Sequence, residues 1–169
     1  MKIFQKVLFQ VHERKKFDES NSPEKDGISA GLYDINTKAY VGKFIYKEMY
    51  KPGRIQTTKP KPGIYTTARG ANYYDDKNAY YLVNNPKYHY YWVDSFEDNF
   101  IANAVSVKIT DTGLMNFYIG RNQIDGQMQV APIALSIGMM YPGYDGLEHF
   151  ATSFQILACD PLPNNPCSK

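Results

Sequence analysis

Short runs of alternating or apolar residues recur along the chain and predict β-strands. Val105, Val107 and Ile109 alternate with polar neighbours, which is the period of a half-buried strand. Further short apolar runs, bounded by polar or turn residues, lie at 3–11, 80–83, 88–93, 131–136 and 154–157. No segment sustains the helical period of apolar residues. The pattern therefore predicts an all-β protein whose first strand lies at 3–11.

Proline and glycine rule out a long helix in the segment 44–67. This segment contains Pro52-Gly53, Pro60 and Pro62-Gly63, which interrupt it too often for helical hydrogen bonding. Polar residues dominate His12–Asp26, and we expect a loop there. Turn residues in Gly138–Gly146 predict a tight hairpin.

One stretch of the chain occurs twice, as DGISAGLYDINTKAYVGK at Asp26–Lys43 and as NAVSVKITDTGLMNFYIGR at Asn103–Arg121. Asp34 matches Asp111 at a separation of 77 (111 − 34), and Tyr40 matches Tyr118 at 78 (118 − 40). Each copy reads as a strand, a polar turn with its Asp, and a second strand that ends in glycine and a cation. Such a unit cannot bury its apolar face alone, so we expect two tandem β-units packed with pseudo-twofold symmetry.

The repeat divides the chain into three parts. We expect a first, diverged unit at 1–87, a second at 88–158, and a Pro/Asn/Cys tail at 159–169. The tail holds both cysteines, Cys159 and Cys167. Two interpretations of them stay open, a bridge that closes a small loop and two reduced thiols.

Composition narrows the function classes. The 15 tyrosines suit strands, and a net charge of only +2 argues against nucleic acid as a partner. No apolar run approaches the roughly 18 residues that a membrane-spanning helix needs. The N-terminal segment lacks the uninterrupted apolar run of a secretory signal, so we expect a cytoplasmic protein, with vesicle association as a variant of that expectation.

The order of motifs in the two copies resembles the DM-nine repeat. In the second copy these are Trp92-Val93, Asn103-Ala104-Val105, Asp111, Tyr118–Arg121, Gly126, Gly138–His149 and Phe154–Leu157. The first copy carries Asp34, Tyr40–Lys43, Pro52-Gly53-Arg54, Gly63, Gly70 and Tyr80–Val83. The resemblance covers nearly the whole chain.

The resemblance implies a non-enzymatic, lectin-like protein that binds mannose-type glycans or microbial polysaccharide in innate immunity. In sugar-binding members, an Asp in the first turn and a Lys after Pro-Gly take part in the site. Here Asp34 and Arg54 hold these places, and Asp111 is their counterpart in the second copy. An ungapped match puts Pro132 where the second cation belongs. A carboxylate and a cation also suit sugar hydroxyls chemically, because one accepts and the other donates hydrogen bonds. No cofactor is expected, and oligomers or the second repeat would supply avidity.

Two other interpretations compete with sugar binding. Lys47, Lys51, Arg54, Lys59 and Lys61 form a basic run, which would suit an intracellular protein docked on anionic lipid or vesicles with a decayed sugar site. The triplet Asp111-Thr112-Gly113 matches the nucleophile triplet of aspartic proteases. That enzyme class needs a second, proton-sharing carboxylate element, and the matched turn reads Asp34-Ile35-Asn36 instead. The histidines and cysteines show no metal-ligand spacing.

Overall fold

The computed structural model describes residues 12–18, 20–46, 49–58, 61–68, 70–95, 103–108, 116–134 and 138–163. Strands dominate this part of the chain. They are β1 Arg14–Lys16, β2 Ser29–Leu32, β3 Lys38–Tyr46, β4 Met49–Gln56, β5 Gly63–Ala68, β6 Ala71–Asp75, β7 Ala79–Leu82, β8 Tyr88–Asp94, β9 Ser106–Lys108, β10 Asn116–Ile124, β11 Gln127–Ala134, β12 Met139–Met140, β13 Gly143–Tyr144, β14 Leu147–Glu148 and β15 Gln155–Pro161. The helix α1 covers Pro23–Asp26. Among the described residues, no helix has the length and apolar character needed to cross a bilayer.

The strands form two antiparallel sheets that share one pairing plan. In the first sheet the order is β1-β7-β3-β4-β5-β6-β14-β13, and β2 also pairs with β3. In the second the order is β12-β11-β10-β15-β8, and β9 also pairs with β10. Thus β2, β4 and β7 surround β3 as β9, β11 and β15 surround β10. The predicted all-β class with two tandem units is confirmed.

The strand registers match between the units as well. Gly42 lies opposite Gly53 in the first unit, and Gly120 lies opposite Ala131 in the second. One position away, Val41 lies opposite Arg54, and Ile119 lies opposite Pro132. The structure therefore places Pro132 at the position that Arg54 holds in the first unit.

Among the described residues, the first strand is β1. The predicted strand at 3–11 lies outside the described residues, and the place of Trp92 in the second unit is taken by Arg14 of β1. Arg14 pairs with Leu82 of β7, as Trp92 pairs with Leu157 of β15. Charged residues are tolerated in β1 because it is an edge strand, where one side meets solvent.

The predicted loop at 12–26 also contains the short helix α1. Its N-terminus is capped by Ser22, whose hydroxyl accepts a hydrogen bond from the Glu24 backbone N–H, and Pro23 fills the first turn. Asp26 ends the helix, pairs with Lys15 of β1 and accepts a hydrogen bond from the Tyr81 hydroxyl at 3.0 Å. These local contacts give order to a polar segment that has no apolar period.

Three clusters of buried side chains hold the sheets together. The central cluster lies between the two sheets and draws on both units: Ile28, Ala30, Ala39, Val41, Leu82, Val105, Val107, Ile119, Val130, Leu157 and Cys159. A second cluster belongs to the first unit alone: Tyr40, Phe44, Ile55, Ile64, Ala79, Tyr81 and Val83. A third belongs to the second unit: Ala131, Ile133, Met140, Phe154 and Ile156.

The hairpin β13–β14 links the units in a further way. It follows β12 in the chain, yet it pairs with β6 of the first sheet through Leu147 and Ala71. Its turn, like that between β10 and β11, is an Asp-Gly pair with positive φ at both residues, as type I′ hairpins require. The second unit therefore contributes strands to the first sheet.

Candidate functional site

Arg54 is the centre of the candidate site and lies where the two units meet. It belongs to β4, and its side chain is only 4% exposed. The guanidinium carbon lies 3.9 Å from the ring centroid of Tyr33 and 4.7 Å from that of Tyr65. Stacking on aromatic faces suits the planar, weakly hydrated guanidinium better than an ammonium group.

The Arg54 side chain reaches across to the second unit. Its Nη1 atom donates to the Gln129 Oε1 atom at 2.6 Å and to the Met128 carbonyl oxygen at 3.5 Å. Its Nε atom is buried and has no hydrogen-bond partner among the described residues. Burial lowers the pKa of Arg54 to about 10, although Tyr33, Tyr65 and Asp34 oppose this shift. The guanidinium therefore remains charged at neutral pH.

Asp34 lies in the tight turn that joins β2 to β3. Its Oδ1 atom accepts a hydrogen bond from the Asn36 backbone N–H at 2.8 Å, as turn aspartates commonly do. That bond is the main reason why the pKa of Asp34 lies below its usual value, and the charge of Arg54 lowers it further. The carboxylate is therefore ionised, partly exposed and close enough to Arg54 to interact with its charge.

Two hydrogen bonds join the Asp34 turn to the second unit. The Tyr33 hydroxyl donates to the Gln127 Oε1 atom at 2.8 Å, and the Met128 backbone N–H donates to the Tyr33 carbonyl oxygen at 3.2 Å. These bonds hold the turn against β11, so that Tyr33, the neighbour of Asp34, stacks on Arg54 although 21 residues separate the two in the chain (54 − 33).

Four side chains of this site were not predicted as its members. Tyr33 and Tyr65 flank Arg54. From β11, Gln129 accepts a hydrogen bond from Arg54, and Gln127 accepts one from the Tyr33 hydroxyl. The position of Tyr33, next to Asp34 in the repeated turn, was a usable signal. The two glutamines had none, because contacts between units leave no mark in local sequence.

The second unit lacks a matching arrangement on β11. Pro132 stands at the Arg54 position and offers no charge or side-chain donor. The predicted site residue Asp111 lies outside the described residues.

The basic run does not form one exposed surface. Arg54 is buried, and the half-buried Lys51 donates to the Thr67 carbonyl oxygen at 2.9 Å. Lys61 is exposed, while Lys47 and Lys59 lie outside the described residues. Two of the three described cations in this run thus point into the protein.

The side chains of the site can form hydrogen bonds and apolar contacts with polar molecules. A carboxylate supplies acceptors, tyrosine hydroxyls donate and accept, and tyrosine rings offer flat apolar faces. Within the described part of the chain, no three His, Cys, Asp or Glu side chains gather as metal ligands do.

Comparisons with known proteins agree with the repeated architecture. The family model described as "DM9 repeat" matches residues 34–151. Among solved structures, the nematode sperm cell motility protein MFP2B is similar, with a TM-score of 0.70 and 19% sequence identity. The match covers 92% of this chain and 48% of that one, so this chain spans about half the length of MFP2B. No curated protein matches the chain.

Proposed function

This chain belongs to the DM9 repeat family, and from that membership we propose that it is a non-enzymatic, lectin-like protein that binds carbohydrate. The proposed ligands are mannose-type glycans, including microbial surface polysaccharides, and the proposed setting is innate immunity or the response to microbes. The observation that carries the proposal is the ionised Asp34 beside Arg54 and its two tyrosine rings, at the seam between the units.

Asp34 is the group proposed to touch the sugar. A carboxylate has two oxygens and can accept from two neighbouring hydroxyls while one oxygen still bonds the Asn36 N–H. Tyr65 adds a ring of intermediate exposure and a hydroxyl, which already donates to the Lys61 carbonyl oxygen at 2.9 Å and can still accept. Sugars present both hydroxyls and apolar C–H faces, so this mixture of groups fits them.

Arg54 is proposed to position the groups that contact the sugar rather than to bind the sugar itself. Its burial and its bond to Gln129 leave it little room to follow a ligand. Its stacking on Tyr33 and Tyr65 fixes those rings, and its charge adds to the Asn36 hydrogen bond in lowering the pKa of Asp34. A lysine at this position could not provide the planar stack or the fixed donor direction.

A single site of this kind binds weakly. Each hydrogen bond contributes a net 0.5–1.5 kcal/mol or so, because the sugar gives up bonds to water. A few such bonds, less the cost of association, correspond to a Kd on the order of 0.1–1 mM. We therefore propose that useful avidity comes from several sites, through a homo-oligomer or a second site in the chain.

The first test separates the charge of Asp34 from its role in the turn. Asn can keep the Asx turn but removes the negative charge, so Asp34→Asn should weaken binding to immobilised mannan about tenfold or more. Asp75→Asn is the matched control, because Asp75 caps a similar turn, where it accepts from the Lys77 and Asn78 N–H groups. Asp34→Asn binding as tightly as Asp75→Asn would contradict the proposed site.

Two further variants define the site in the same assay. Arg54→Lys keeps a charge but loses the stacked plane, and we expect about tenfold weaker binding with the fold retained. Asp111→Ala should have a smaller effect than Asp34→Ala, because Pro132 provides its unit with no cation. An equal loss for Asp111→Ala would move the site to the second unit.

The lipid-docking alternative has less support. It needs a continuous cationic surface, yet Lys51 and Arg54 face inward. A role in cell motility, such as the name of MFP2B gives to that protein, is not proposed for this chain, because 19% identity carries the fold alone.

A further inference from the structure

A second polar cleft lies on the second unit. Three side chains stand in a row across three neighbouring strands: Arg121 on β10 pairs with Gln155 on β15, which pairs with Asp94 on β8. The Arg121 Nε atom donates to the Gln155 Oε1 atom at 2.7 Å, and the Gln155 Nε2 atom donates to the Asp94 Oδ1 atom at 3.0 Å. The row therefore runs from a cation through an amide to a carboxylate.

The row borders a cleft with a volume of ≈ 240 Å³. Asn122 and Ser153 add further polar groups to its wall, and Met128 and Phe154 add apolar ones. Unlike Arg54, Arg121 is only partly buried, and Asp94 is exposed. Such a space is smaller than a drug-sized pocket and suits a small polar unit.

Arg121 is held in place like Arg54, by an aromatic ring and the opposite unit. Its guanidinium carbon lies 4.5 Å from the Trp92 ring centroid, and its Nη1 atom donates to the Ala30 carbonyl oxygen at 3.0 Å. Trp92 is itself fixed, because its Nε1 atom donates to the Ser29 carbonyl oxygen at 3.3 Å. Both arginine sites thus combine a guanidinium, an aromatic face, a glutamine and a nearby aspartate.

The first unit has no such row. The matched register positions there carry Lys43, Tyr80 and Lys16. Two cations flank a tyrosine, so the carboxylate and the amide are both missing. The row is therefore a feature of the second unit and not a consequence of the shared fold.

We propose that this cleft is a second carbohydrate site, which takes one pyranose unit of a neutral glycan. Its donors and acceptors alternate, and Arg121 and Asp94 balance each other in charge. A vicinal diol can donate to the carboxylate and accept from the amide and guanidinium at once, whereas an anion would be repelled by Asp94. The proposal rests on the proposed function for its ligand class, and the two sites share one described residue, Met128, which lines the cleft and whose backbone bonds Arg54 and Tyr33. The chain then has two sugar sites. In the second unit, Arg121 provides the cation that Pro132 cannot provide.

The chain contains its own reporter for this cleft. Trp92 is the sole tryptophan and lies against Arg121, so its emission should respond to a ligand that Arg121 binds. Variants of the cleft residues show whether the response comes from this cleft. Titration of the full chain with methyl α-mannopyranoside, methyl β-glucopyranoside and methyl β-galactopyranoside should give a saturable emission change for at least one of them, in the millimolar range. A change that does not saturate, or none at all with the three glycosides, overturns the proposal.

Variants identify the residues and separate the two sites. Asp94→Ala and Gln155→Ala should each weaken the emission-detected binding about tenfold or more. Asp94 is exposed, so its replacement should change binding with little effect on the stability of the protein. Lys16→Ala, at the matched position of the first unit, is the control and should leave the titration unchanged.

The Asp34→Asn variant distinguishes failure of this proposal from failure of the first. It should keep the Trp92 titration while it loses most mannan binding. Loss of both signals in Asp34→Asn means one shared site and overturns the second-site proposal. A normal Trp92 titration in Gln155→Ala overturns it as well, whereas intact mannan binding in Asp34→Asn contradicts only the first site.

Discussion

The repeated Tyr-x-Gly-cation motif has a different physical task at each residue. Tyr40 faces the first unit's own cluster, whereas its neighbour Val41 faces the central cluster between the sheets. Gly42 follows on the Tyr40 side, where an added Cβ would lie 2.5 Å from the Ile55 Cγ1 atom. In the second unit a Cβ on Gly120 would meet Ile133 at 2.7 Å. Glycine recurs because an isoleucine of the next strand fills its side-chain space.

The surroundings of His149 predict that the stability of the protein depends on pH. Its Nε2 atom lies 2.8 Å from the Asp145 Oδ1 atom and 3.1 Å from the Tyr144 carbonyl oxygen. The Asp145 hydrogen bond is the main cause that raises the pKa of His149 above 6.5, and the Tyr144 carbonyl oxygen adds to it. A raised pKa stabilises the folded state fully below the unfolded value, and this contribution is lost as pH rises through the folded value.

We therefore expect His149→Gln to be less stable than the natural protein below pH 6.5 and to approach it as the pH rises above that value. Urea unfolding at several pH values measures this difference. Burial lowers the pKa of His12, which gives the opposite trend, but that contribution is the same in both proteins and cancels. A difference that does not change with pH would show that the His149–Asp145 pair has no net effect.

Among the strands and turns, the sequence predicted strands that have an apolar run of their own and missed those fixed by a partner strand. The apolar runs at 80–83 and 88–93 became β7 and β8. The hairpin predicted at 138–146 is displaced, because β13 Gly143–Tyr144 pairs with β14 Leu147–Glu148 and Met139–Met140 pairs with β11 instead. The strand β1, by contrast, is an exposed Arg-Lys-Lys run that pairs with β7. Its strand conformation comes from backbone pairing at a sheet edge, which side-chain patterns do not encode.

The hairpin β13–β14 should detach when Gly143 gains a side chain. A Cβ at this position would lie 2.5 Å from the Asn72 Oδ1 atom and 2.9 Å from the Thr67 Cγ2 atom. Gly143→Val should therefore weaken the bonds from Asn72 N to Gly146 O and from Glu148 N to Gly70 O. Amide exchange at Asn72 and Glu148 should become about tenfold faster or more, since the loss of a hydrogen-bonded contact costs on the order of 1–3 kcal/mol.

Two observations control that experiment. Leu147→Ala changes the same hairpin at a side chain that is 55% exposed, and it should leave these amides protected. Amides of the β10–β11 hairpin should keep their exchange rates in both variants. Unchanged exchange at Asn72 in Gly143→Val would mean that the hairpin is held by contacts other than the Gly143 face.

For the protein as a whole, the repeat predicted the architecture but not the side-chain contacts between the two units. Asp34 and Arg54 were found from their places in the motif, because each belongs to one unit. Gln129, which bonds Arg54, and Gln127, which bonds Tyr33, belong to the other unit, and the Arg54–Gln129 bond joins residues 75 positions apart. The row Arg121–Gln155–Asp94 was missed for the same reason, because it exists only through the registers of three strands.

The central cluster makes the two units unfold together. Leu82 of the first unit is 4% exposed and belongs to the central cluster, against which Trp92 of the second unit packs. Leu82→Ala should cost about 2–5 kcal/mol through lost burial and the cavity it leaves. Because the cluster is shared, that loss should lower the urea midpoint measured by Trp92 emission as much as the midpoint measured by circular dichroism.

Leu32→Ala is the control, at a side chain that is 53% exposed. It should leave both midpoints nearly unchanged, because substitutions at exposed sites usually change stability by no more than about 0.5 kcal/mol. A Trp92 transition that stays in place while the dichroism splits into two steps would show that the units fold independently.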